Sequence, residues 1–345
     1  MENTLKHTLA ALLLAASACL SHAATPATGF AGNPEVIEFV RDLEQREGFN
    51  SEQLLEQFAQ IRPNAKVLEL IKPPASPLQR SWERYRPRFL NERRINWGVQ
   101  FWQENRIALA RARATYGVPE EIIVAIIGVE TEYGRNMGNF RVLEALSTLA
   151  FYYPRRAEFF RTELEQFLLL ARENGMNPLD VRGSFAGAIG IPQFMPGSQR
   201  RYAVDFDGDR KVDLYGSVDD AIGSVARFLE QHGWQAGQAI AVPAQTRGEP
   251  DRNLIDAGIQ PTLKVADLVQ QGITAAADPK AVVTLVDLVS PGRATEYWLG
   301  FDNFYVITRY NRSSFYAMSV FLLAESLREV QSAAASAADR EAPEK

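Results

Sequence analysis

The chain has 345 residues, 46% hydrophobic and 23% charged, and its 37 basic and 42 acidic side chains leave a formal charge of −5. That composition excludes a collagen, a disordered tail or a multi-span membrane protein, and it leaves room for one to three globular domains. Cys19 is the sole cysteine and His7, His22 and His232 are the only histidines. Without the first 22 residues, no disulfide framework, cysteine nucleophile or multi-histidine zinc site can be built.

Residues Met1 to Ala24 carry Lys6, an apolar run from Leu9 to Leu20, and Ser21-His22-Ala23. The run falls well short of the ~20 residues that span a bilayer, so it reads as an export signal. Two routes stay open. Cleavage after Ala23 makes residues 1–23 a signal peptide, whereas lipidation of Cys19, which follows Ala16-Ser17-Ala18, attaches the protein to the outer membrane. The expected location is the periplasm either way.

From Pro34 to about Lys72, Val36, Phe39, Val40 and Leu43 recur at helical spacing until Pro73, Pro74 and Pro77 break the pattern. Residues 34–115 are expected to form an N-terminal helical region. Nine arginines between Arg80 and Arg113 read as a solvated helix face or as a surface that meets an anionic polymer. Nucleic acid is not expected, because the chain is acidic and shows no nucleic-acid-binding motif.

Residues 116–235 hold the chemistry. Gly117-Val118-Pro119 is a turn, and Glu120 and Glu121 favour the N-terminus of the next helix. Its body, Ile122 to Val129, is almost wholly apolar, so the helix should be buried on all sides. It ends in Glu130-Thr131-Glu132-Tyr133-Gly134. A carboxyl at the end of a buried helix is desolvated and stays protonated near neutrality, as a general acid must. The competing reading pairs Glu130 with Arg135 or Arg141. Glu132 lies roughly 200° further round the helix, so the local sequence supplies one acid and not the usual glycosidase pair.

Helices are also expected at 142–149, 154–172 and 218–232. Between them, the small residues of Gly183 to Gly197 permit close backbone approach, and Gln193 needs partners in an apolar setting. No Gly-Lys-Ser/Thr ending follows, which disfavours nucleotide binding. Asp205, Asp207 and Asp209, with the carbonyl of Lys211, resemble the opening of an EF-hand loop that prefers calcium to magnesium. Arg210 stands where that loop carries glycine and Gly216 where it carries glutamate, so Asp219 or Asp213 is expected to supply the missing ligand. Residues 236–300 show short strands, including Ala239–Val242 and Val282–Val289. Residues 301–331 return to the core, with a final amphipathic helix from Phe315 to Val330, and the Ala/Glu-rich tail 332–345 is expected to be disordered.

Five segments in this order (Ile126–Thr131, Tyr153–Glu158, Gly183–Pro196, the Asp205 loop and Arg309-Tyr310-Asn311) resemble the MltB-type lytic murein transglycosylases. The likeness runs from about Glu35 to Val330. It implies a mainly α (α+β) fold, with a lysozyme-like catalytic core, an N-terminal helical part and a small strand-rich subdomain. The implied activity cleaves the β-1,4 bond between N-acetylmuramic acid and N-acetylglucosamine in peptidoglycan, leaving 1,6-anhydro ends, in cell-wall remodelling and recycling. By resemblance, Glu130 is the single acid/base. Tyr85, Ser184, Gln193, Tyr310, Asn311 and Tyr316 line the glycan groove, and Arg155 and Arg156 bind acidic or peptide parts. A structural Ca2+ is implied on Asp205, Asp207, Asp209, Lys211 and Asp219, with no organic cofactor. Peptidoglycan strands are the implied partner of a monomer. Ile191 and Pro192 depart from the family's usual residues before the glutamine. A hydrolytic muramidase and a non-catalytic murein-binding protein are the competing functions.

Overall fold

The computed structural model describes residues 29–73 and 80–341, with backbone alone beyond residue 333. The leader, Cys19, Pro74 and Pro77 lie outside the described residues. Three helices open the chain: α1 (Pro34–Glu47), α2 (Ser51–Ala59) and α3 (Ala65–Leu70). Asn33, Asn50 and Asn64 cap them, each side chain accepting from a backbone N–H of the first turn, and Pro34 fits the N1 position of α1. Next come α4 (Trp82–Tyr85), α5 (Glu92–Glu104), α6 (Arg106–Tyr116) and α7 (Glu120–Thr131). Strand β1 (Phe140–Arg141) leads into α8 (Val142–Tyr152) and α9 (Ala157–Glu173), and β2 (Arg182–Gly183) pairs back onto β1. Helices α10 (Pro196–Tyr202) and α11 (Val218–Gln231) complete this part.

The strand-rich part contains β3 (Ala241–Thr246), α12 (Arg252–Asp256), β4 (Leu263–Lys264), α13 (Val265–Gln270), β5 (Ile273–Ala275), β6 (Val282–Leu288) and β7 (Glu296–Gly300). Its five strands form one antiparallel sheet in the order β4-β6-β7-β3-β5. The chain then returns through α14 (Asp302–Tyr310) and α15 (Ser314–Glu341). Helix α15 runs through the residues expected as a disordered tail, up to Glu341. Alanine is the best helix former, and extending an existing helix needs no new nucleus.

Three apolar cores hold these parts together. One gathers α1–α3, α8 and α9, and another underlies the sheet around Val265, Leu268, Ile273, Val283, Leu285 and Leu299. The third is built around α7, which touches α5, α6, α11 and α15. Every residue from Ile122 to Val129 is buried, because an all-apolar helix finds its lowest free energy surrounded on all faces. The close approach of α5 and α7 depends on Gly98 and Gly128. A Cβ on either would strike the side chain of Tyr133, whose ring sits between them.

Candidate active site

Glu130 is the last residue but one of α7 and keeps part of its surface open to solvent. Protein nevertheless surrounds its carboxyl closely enough that burial lifts its pKa to about 7, against an opposing hydrogen bond from Tyr316. No charged neighbour contributes to that shift. The Tyr316 hydroxyl donates to Oε1 at 2.6 Å. Among the described residues Glu130 has no ion pair with Arg135 or Arg141: Arg135 donates instead to the carbonyl of Glu132.

Three tyrosines share this environment. Burial is the main cause that raises the pKa of Tyr85, Tyr310 and Tyr316, and the nearby Glu130 charge raises all three further. Tyr316 on α15 and Tyr310 at the end of α14 lie stacked, 16° from parallel and 6.5 Å between ring centres. Tyr85 packs on Trp82, Phe89 and Phe315. With their pKa values pushed up, these phenols remain protonated donors.

The chain leaves α7 by an abrupt turn. Glu132 and Tyr133 both have positive φ, 51° and 63°, a conformation that costs non-glycine residues on the order of 1–3 kcal/mol each. Arg94 of α5 holds the turn: its guanidinium donates to the Gly128 carbonyl, to Glu132 Oε1 at 2.9 Å and to the Arg88 carbonyl at 3.1 Å. Tyr133 returns a hydrogen bond to the Arg94 carbonyl at 3.0 Å. The sequence puts Arg94 in the arginine-rich stretch, expected on a solvated or polymer-facing surface. The structure corrects this, since the side chain is buried and its two terminal nitrogens are engaged, while Nε finds no partner among the described residues. Its signal was position: Arg94 precedes the buried Gly98 and Phe101 by four and seven residues, on one face of α5, whereas Arg93 does not share that face. Glu132 is thereby turned to Arg94; it lies beyond the end of α7, so the left-handed turn and not the expected helical angle sets its direction.

The stretch from Gly183 to Pro196 is fastened beside Glu130. Thr131 donates to the Ile191 carbonyl at 2.8 Å, and Tyr310 donates to that of Pro192. Gln193, at φ 51°, donates from Nε2 to the carbonyls of Met137 and Gly190 at 3.1 and 2.9 Å. Two carbonyl acceptors can only face the amide NH2, so Oε1 is left to accept from a ligand. Ser184 Oγ accepts the N–H groups of Ala186 and Ala188, which leaves its own proton to donate. Gly187 and Gly190, at φ 88° and 71°, allow the loop its tight path.

Not every expected site residue joins this cluster. Asn311 is exposed at the end of α14, next to Tyr310. Arg155 and Arg156 are exposed on the turn between α8 and α9, with Arg156 over Phe159 at 4.2 Å. Among the described residues no hydrogen bond, ion pair or ring contact links them to the Glu130 group. His232 Nδ1 lies 2.7 Å from the Phe228 carbonyl, and its ring packs against Tyr202 and Phe228.

In the Asp205 loop, carboxylate oxygens of Asp205, Asp207 and Asp209 lie within 4.8 Å of one another. The backbone folds around them: Gly208 and Arg210 N–H groups donate to Asp205, Asp209 N–H to Asp207 and Lys211 N–H to Asp209. Arg210 takes φ 73°, the left-handed turn that EF-hand loops usually give to glycine. Three converging oxygen ligands in this turn fit a calcium ion. Asp219 does not join them. It pairs with Arg111 at 3.2 Å, and the same guanidinium donates to the Phe206 carbonyl in the loop. Asp213 is also engaged, accepting from Tyr215 and Gly216 in a turn.

The Transglycosylase SLT domain family matches residues 31–325. Membrane-bound lytic murein transglycosylase B of Escherichia coli (strain K12) is 43% identical over 313 residues, covering 86% of this chain and 84% of its own. Among solved structures, the Escherichia coli lytic transglycosylase Slt35 in complex with calcium is 42% identical, with a TM-score of 0.79 over 87% of this chain and 95% of that one. SltB3 from Pseudomonas aeruginosa in complex with NAG-anhNAM-pentapeptide is 30% identical, with a TM-score of 0.72 over 85% and 79%.

Proposed function

The chain belongs to the SLT-domain lytic transglycosylases and cleaves peptidoglycan without hydrolysis, and we propose that Glu130 serves as both the acid and the base of that reaction. The observation that carries this is a desolvated carboxyl with a pKa raised to about 7 and, among the described residues, no second acid that shifts it. Tyr316 occupies Oε1 as a donor, so the acidic proton resides on Oε2. That proton passes to the glycosidic oxygen as its bond to C1 of the muramyl residue breaks. The substrate's own acetamido oxygen stabilises the positive charge at C1, in place of a second protein carboxylate. Glu130, now ionised, removes the proton from the 6-hydroxyl, whose oxygen bonds to C1 and closes the 1,6-anhydro ring. No water enters.

Tyr85, Tyr310 and Tyr316 form aromatic and hydroxyl walls for the sugar rings, Ser184 donates, Gln193 Oε1 accepts, and Asn311 extends this wall. Arg155 and Arg156 would meet acidic parts of a long substrate further out. Calcium would sit on Asp205, Asp207 and Asp209 with the Lys211 carbonyl and brace the approach to α11; the E. coli relative in complex with calcium supports the choice of ion. Export to the periplasm, with Cys19 as an anchor or with cleavage after Ala23, accords with the membrane-bound E. coli relative. No helix among the described residues is long and apolar enough to cross a membrane.

The deciding variant is Glu130→Gln, which keeps the Tyr316 hydrogen bond but has no proton to exchange. It should release no soluble fragments from sacculi while still sedimenting with them. Normal digestion by this variant would remove Glu130 from the mechanism.

A further inference from the structure

The junction of α14 and α15 borders a cavity of about 410 Å³ whose opposite wall is the strand-rich part. Three guanidiniums line it, those of Arg80, Arg252 and Arg312, together with the acids Asp256 and Asp287. Both acids are already paired. Asp287, 5% exposed, lies 3.5 Å from Arg80, and Asp256 lies 3.4 Å from Arg252. Arg80 is further fixed by donating to Ser314 at 3.0 Å and by covering the Phe315 ring. Arg312 is exposed and has no hydrogen bond, ion pair or ring contact among the described residues.

A second cavity of about 360 Å³ continues along the side of α14. It shares Gly258, Ile259 and Arg312 with the first, adds Arg309, and has no acid in its lining. A chain of net charge −5 thus carries a channel with two more arginines than carboxylates. Ser313 lines the first cavity, and its hydroxyl accepts the N–H of Tyr316 at 3.4 Å, which joins the channel wall to the residue that holds Glu130.

We infer that this channel binds carboxylates of the peptide stems attached to the glycan, with Arg312 as the principal contact. The inference rests on the peptidoglycan reading above. Peptide stems are short chains bearing carboxylates at intervals, and a guanidinium grips a carboxylate through two parallel hydrogen bonds. The four arginines spaced along one groove, with Arg309 and Arg312 free of acids, match such a ligand better than a neutral sugar. The strand-rich part thereby contributes the far wall that recognises the peptide.

Steady-state kinetics on two substrates test this, namely glycan strands carrying their peptides and the same strands stripped by an amidase. Arg312→Gln should raise KM roughly tenfold on peptide-bearing strands, with kcat unchanged and stripped strands cleaved as by the wild type. Arg312→Lys, which keeps charge but loses the fork, should fall between, and Arg252→Gln on the opposite wall should show the same selectivity. Both arginines are exposed, so melting temperatures serve as the control for folding. Equal effects on the two substrates, or no effect on either, would overturn the inference while leaving the transglycosylase reading intact. Release of nothing from either strand by the wild type would overturn both.

Discussion

Ionising Glu130 in its folded surroundings is unfavourable, and that has a measurable sign. Its pKa is raised from an unfolded value near 4.5 to about 7. The stabilisation from the protonated form is therefore complete below about pH 4.5 and is lost as the pH rises through 7. Glu130→Gln cannot ionise and escapes this loss. Relative to the wild type, the variant should gain on the order of 3 kcal/mol of stability between pH 5 and pH 8 in urea unfolding. An unchanged difference at the two pH values would show that the carboxyl is not desolvated. Activity follows the same group: the acid must carry its proton, so the rate should fall on the alkaline side of pH 7. Tyr316→Phe removes a hydrogen bond that lowers this pKa. Its alkaline limb should move to higher pH while the maximal rate drops roughly tenfold or more. A limb that stays in place would separate Tyr316 from Glu130. The desolvation of this carboxyl was legible in the sequence, because the apolar run Ile122 to Val129 places Glu130 at the end of a buried helix. Its partner was not readable from local pattern, since 186 residues separate Tyr316 from Glu130 and only the packing of α15 on α7 joins them.

Among the elements, α7 and the Asp205 loop show how local rules met tertiary context. Helix α7 follows its sequence pattern throughout, and the departure comes after it, where two non-glycine residues turn left-handed under the grip of Arg94. An arginine count cannot distinguish this buried clamp from its solvated neighbours, because the distinction depends on which face of α5 meets α7. In the Asp205 loop the three alternate aspartates converge as their spacing suggests, and Arg210 tolerates the glycine conformation. The expected ligand Asp219 pairs with Arg111 in this structure, a long-range ion pair that spacing alone does not reveal. Three carboxylates of like charge at such short range favour a cation. Chelator should lower the melting temperature and calcium restore it, with a gain of about 2.7 kcal/mol at a hundredfold excess over Kd. A melting temperature indifferent to calcium would count against the site.

At the scale of the whole molecule, three cores place a lysozyme-like helical body, an N-terminal helical layer and a small antiparallel sheet around one acid. The change from helical to alternating patterns near Trp234 was visible in the chain, and β6 falls where its apolar run stands. The order of strands, and the arginine channel between the sheet and α14, emerge only when Arg80, Arg252 and Arg312 are brought together from distant segments. The proposed chemistry needs no histidine or cysteine, since one carboxyl at Glu130 would act as acid and then as base within one turnover. The proposed reaction requires that the muramyl 6-hydroxyl, and not water, attacks C1. Digestion of sacculi in water enriched in oxygen-18, followed by mass spectrometry of the released fragments, distinguishes the two attacking groups. Fragments one water lighter than hydrolytic products, without label at the muramyl end, are the predicted result; full-mass fragments carrying oxygen-18 at that end would contradict it.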